Sequence, residues 1–62
     1  MTNTADRVKE LTQQLTLVNL ENSRDEVRNI ARGLSGLPEQ EANEARQAIE
    51  GFYMVEQRLF GM

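Results

Sequence analysis

The chain has no cysteine, no histidine and no tryptophan, and its 62 residues include one proline, one tyrosine and two phenylalanines. Each absence closes a route. Without cysteine there is no disulfide and no thiol nucleophile, and without histidine no imidazole acid or base. Together they remove the nitrogen and sulfur ligands of a structural zinc site. Acid/base chemistry is left to ten Asp and Glu residues. A catalytic carboxylate pair needs a sheltered pocket that spreads its pKa values. Two or three helices from so short a chain leave little room for a pocket of ~300 Å³ or more. The sequence therefore predicts a protein that is not an enzyme and holds no cofactor and no metal.

Size adds a second constraint. A chain of this length hides only ~60% of the surface its unfolded form exposes, and scaffolds below ~70–80 residues commonly need a disulfide, a metal or a second chain. Association is the staple left, which predicts a homodimer. No run approaches the ~18 apolar residues of a membrane span, and Met1-Thr2-Asn3-Thr4-Ala5-Asp6 has neither the basic nor the apolar region of a signal peptide. The expectation is one domain over residues 1–62, cytoplasmic, with no membrane partner.

Charge is short of one sign in one half. Residues 1–35 carry five acidic and five basic side chains, whereas beyond them five acidic residues face only Arg46 and Arg58. The excess negative charge there opposes general attraction to nucleic acid.

What is present reads as helix. Gly33-Leu34-Ser35-Gly36-Leu37-Pro38 is the one strong turn signal, with Gly36 suited to a left-handed helix end and Pro38 to the first turn of the next helix. Glu39 and Glu41 then complement the positive end of that helix. A second helix is predicted from about Pro38 to about Phe60, with Ala42, Ala45, Ala48, Ile49, Phe52, Leu59 and Phe60 on one stripe. Val27, Ile30, Ala31 and Leu34 make the facing stripe before the turn. The short connection predicts an antiparallel helical hairpin, Val27 to Leu34 packed on Ala42 to Phe52.

The first segment carries a conflict. Asn3 or Thr4 caps a helix near Ala5, and Val8, Leu11, Leu15 and Val18 form a three–four stripe. On a straight helix that stripe points about 130° away from the Val27–Leu34 stripe. Either the helix breaks around Asn19–Ser23, where Ser23-x-x-Glu26 offers a capping box, or one helix from about 4 to 35 carries two apolar faces. The lack of glycine and proline favours the long helix. Its second face, with Val8, Leu11, Leu15 and Val18, then meets a second chain. Phe52, Tyr53, Met54 and Val55 point nearly all round the second helix, and Gly51 permits close approach beside Val55. Gly51 and Val55 join the predicted dimer interface, and two hairpins make a four-helix bundle.

For function, the sequence predicts a non-enzymatic protein–protein interaction module, a small adaptor, co-chaperone or inhibitor, with Tyr53 and Met54 as its apolar anchor. Arg24, Arg28 and Arg32, at i, i+4 and i+8, form a row able to grip an acidic partner. The alternative is a small nucleic-acid-binding regulator using that same row. A helix-turn-helix is disfavoured, because the second helix opens Pro38-Glu39-Gln40-Glu41 and would set carboxylates against phosphates.

Overall fold

A computed structural model describes residues 3–61. Among them the elements are α1 (Thr4–Gln13), α2 (Leu20–Arg32), a short 3-10 turn (Leu34–Gly36) and α3 (Glu39–Phe60), with no strand. The all-helical class predicted from the periodicity is the observed one.

α1 begins as its cap predicts. Asn3 is extended, and its Oδ1 accepts a hydrogen bond from the Asp6 N–H at 2.9 Å, satisfying one of the donors a helix start leaves open. The helix stops at Gln13, far short of residue 35. Asn19 holds the break. Its Oδ1 accepts from the Thr16 N–H at 2.8 Å, and its Nδ2 donates to the Gln14 carbonyl at 2.7 Å. Its own N–H donates to Thr16 Oγ1 at 3.3 Å, and its carbonyl accepts the Ser23 N–H at 2.8 Å to start α2. Polar side chains that bond the local backbone offer the chain an alternative to helix. The continuous helix over 4–35 is thus corrected to α1 and α2. Ser23 is buried within α2 rather than capping it, and Glu26 turns to Arg7.

The break removes the phase conflict. With α1 free to rotate relative to α2, Val8, Leu11 and Leu15 turn into the same core as Val27. We expect Asn19→Ala, which deletes two side-chain hydrogen bonds, to cost about 1–2 kcal/mol. A urea midpoint equal to the parent's would mean that other contacts hold the break.

The turn also differs from expectation. α2 ends at Gly33 with φ −85°, its N–H shared between the Asn29 and Ile30 carbonyls. Gly36 lies in the 3-10 turn and has no positive φ; among the described residues only Gly61 does, at φ +66°. The last turn of α2 thus tightens instead of reversing hand. Pro38 precedes α3 with ψ 149°, and its carbonyl accepts the Ala42 N–H at 2.9 Å. Gly61 closes α3 by donating its N–H to the Gln57 carbonyl at 2.9 Å. At ~1.5 Å per residue, the 22 residues of α3 match the 33 Å long axis of the molecule, so α3 is its spine.

Val8, Val27 and Phe52, one from each helix, are the fully buried centre of the core. Ala5, Leu11, Leu15, Ala48 and Ile49 surround them, with Leu20, Ile30, Leu34, Val55 and Phe60 at the edge. The main helix–helix interface joins α1 to α3, and α2 contributes less. The expected packing of Val27 to Leu34 on α3 is found only in part: Ile30 and Leu34 are half-buried and Ala31 is exposed. The same geometry corrects Val8, Leu11 and Leu15 as a dimer face. α3 and α2 of their own chain cover them, so they have no surface to give a second copy.

Candidate interaction surfaces

Two ion pairs tie the helices together at the surface beside the core. The guanidinium of Arg7 on α1 grips the Glu26 carboxylate on α2 through two nitrogens, the Nη2–Oε1 bond being 3.0 Å. Arg24, in the first half of α2, grips Glu56 near the end of α3, with Nε–Oε2 at 3.0 Å and Nη2–Oε1 at 2.9 Å. Such forked pairs fix geometry as well as adding attraction. The hydrogen bonds from Arg7 hold the Glu26 carboxyl below the usual carboxylate range, and its positive charge adds to the effect. A carboxylate lowered in the folded state stabilises the fold above its unfolded pKa, ordinarily about 4.3, and loses that contribution as pH falls through the folded value. Both side chains are about two-fifths exposed, so solvent screening keeps the effect small. We expect the urea midpoint of the parent to fall as pH drops below the ordinary carboxylate range. The Glu26→Gln variant should show a shallower fall, and parallel slopes would deny the pair a role.

The Arg24–Glu56 pair also shows which ends meet. It sets the start of α2 beside the last turns of α3, and Leu20 and Phe60 both pack on the core there. At that end the chain leaves large apolar side chains uncovered: Leu17 (75% exposed) and Val18 (94%) in the α1–α2 connection, and Leu59 (57%) in the last turn of α3. Tyr53 is 48% exposed, its ring edge-on to Phe52 with centroids 5.7 Å apart. Its inner edge is therefore anchored on the core while its outer edge stays open. Val18, expected on a helical stripe with Val8, instead belongs to this connection. Leu17, expected within a long helix, lies in the connection, and Leu59, expected on the apolar stripe of the second helix with Ala48 and Phe52, is corrected to an exposed position.

Met54 is 65% exposed but about 100° round α3 from Tyr53. The two thus serve different faces. Tyr53 lies on the α2 side, near Arg24. Met54 lies toward Gly51, away from α2. A Cβ built on Gly51 meets no atom within 4 Å, so the backbone there is open. Between α1 and α3 beside it runs an open groove of about 540 Å³, whose floor includes Ala5, Ala48, Gly51 and Val55 and whose rims carry Asp6, Lys9 and Glu44. That is more room than the length of the chain suggested. No cluster of three or more metal-ligating side chains occurs among the described residues.

The basic row is divided. Arg24 is committed to Glu56, Arg28 lies 4.0 Å from Asp25, and Arg32 has no ion-pair partner among the described residues. A phosphate backbone would thus meet two guanidiniums, Arg28 and Arg32, the first of them beside the Asp25 carboxylate. No helix among the described residues is long and apolar enough to cross a membrane. No family model, curated protein or solved structure matches the chain.

Proposed function

We propose that the protein is a non-enzymatic interaction module of the cytoplasm, in which α2 and α3 form an antiparallel hairpin, the chain self-associates, and another protein is bound and modulated at the apolar end. The observation that carries this is the uncovered group of Leu17, Val18, Leu59 and the outer edge of Tyr53. A contiguous exposed apolar patch on a small protein marks a site of association, and the adjoining Arg24–Glu56 pair supplies a polar rim of the kind that surrounds a hot spot. The same pair, which joins the start of α2 to the end of α3, supports the hairpin reading.

The test uses Tyr53→Ala and Val18→Asp. Each should cost ~2 kcal/mol or more of affinity for a protein captured by the parent, with helicity unchanged. Capture that survives both changes rules out this end of the molecule. Loss of activity on Arg28→Glu alone, together with a salt-sensitive shift of nucleic acid in gels, would favour the regulator reading instead.

A further inference from the structure

The open face of α3 has an internal symmetry of charge. At 100° per residue, Glu44 and Arg58 lie about 20° either side of Gly51, and Gln47 and Val55 about 40° either side. Glu44 and Arg58 are each seven residues from Gly51, roughly 10 Å along the axis in opposite directions. Neither has an ion-pair partner among the described residues, in contrast to Arg7, Arg24, Glu26 and Glu56. The centre of the stripe is a glycine with open space where a side chain would stand, flanked by the exposed Met54 and bordered by the groove along α1.

We infer that a second copy of this chain docks here, the two α3 helices crossing antiparallel at Gly51, so that Glu44 of each copy pairs with Arg58 of the other. A two-fold interface is built from one patch meeting itself. In the antiparallel arrangement each carboxylate comes level with a guanidinium, giving two equivalent charge-assisted pairs. In the parallel arrangement Glu44 would meet Glu44 and Arg58 would meet Arg58, which is repulsive at both ends. Charge thus selects the direction. Gly51 lets the two backbones approach at the crossing, and the closeness brings the exposed Met54 against the exposed Gln47 of the other copy, with the half-buried Val55 beside them. Of the interface residues predicted from sequence, Gly51 and Val55 belong to this face, while Val18 stays at the apolar end. The inference rests on the self-association in the proposed function but not on the protein partner, whose site lies on another face.

Sedimentation equilibrium of the full chain tests it. The parent should approach twice the chain mass at tens of micromolar. Glu44→Arg and Arg58→Glu should each weaken association more than about a hundredfold, since each sets like charges together at both ends of the crossing. Their helicity should remain, because both positions are exposed. Mixing the two variants should restore a dimer of about twice the chain mass, as every pairing is then between opposite charges. Gly51→Leu should abolish association while leaving the chain as helical or more so, leucine being the better helix former. A parent that stays monomeric overturns both this inference and the self-association it rests on. Variants that dimerise like the parent, or a mixture that fails to recover, overturn this interface and leave self-association through another face.

Discussion

Phe52→Ala is expected to leave the chain largely unfolded at room temperature. Phe52 is fully buried, and its ring lies among residues of α1, α2 and α3 alike. Truncating such a side chain removes its transfer free energy and leaves a cavity that the neighbours only partly fill, a loss of ~3–5 kcal/mol. A single small core supplies only ~3–5 kcal/mol in all. The two figures are of the same size, so little or nothing remains. Far-UV circular dichroism should show most of the helical signal gone. A cooperative melt at the parent's temperature would mean that the three helices do not share this ring.

The second large effect is a contrast between two positions three residues apart. Leu15→Glu should unfold the chain at neutral pH, whereas Val18→Glu should leave helicity and melting temperature close to the parent's. Leu15 is buried in the core cluster and Val18 is almost fully exposed. A carboxylate forced into the first position has no partner among Val8, Val27 and Phe52, and an unpaired buried charge is among the costliest single changes. In the second position it stays in water. If the two residues instead shared one helical stripe on an exposed face, both substitutions would spare the fold and only association would suffer. Circular dichroism and sedimentation on the pair separate these cases.

The sequence made parts of this architecture legible because a local cause was visible. The Asn3 cap, the extent of α3 and the buried Ala42–Ala45–Ala48–Ile49–Phe52 stripe follow from periodicity and from short-range hydrogen bonding. The mismatch between the Val8–Leu11–Leu15 stripe and the Val27–Leu34 stripe was visible too, and it was the signature of a break. The absence of glycine and proline concealed that break. Thr16 and Asn19 make it through their side chains, by bonding each other's backbone and the Gln14 carbonyl. Polar residues of this kind are common inside helices, so their presence alone does not announce a stop. Once the first segment is taken as straight, Val8, Leu11 and Leu15 have nowhere to go but a second chain.

The surfaces were legible to a lesser degree. Four consecutive large side chains from Phe52 to Val55 guarantee that some lie off the core, which is why Tyr53 and Met54 stood out. That they face different ways follows from helix geometry alone. The exposure of Leu17 and Leu59 does not, for it depends on where α1 stops and on how the two ends of the fold meet. Likewise the row Arg24, Arg28 and Arg32 is regular in sequence, but Glu56, thirty-two residues after Arg24, claims its first member.

The dominance of the α1–α3 interface has a consequence for how the chain reaches its fold. α1 leaves the ribosome before α2, and α3, the helix it packs against, follows both. α2 offers it only the smaller interface, so no stable pair of helices precedes the emergence of Phe52. Val8, Leu11 and Leu15 stay exposed to solvent, or to chaperones, until then. Closing the core also means bringing together segments separated by most of the chain, which slows folding relative to a bundle of sequential neighbours. Ribosome-bound chains halted before α3 should therefore be protease-sensitive throughout, and protection should appear in one step once α3 is clear of the exit tunnel.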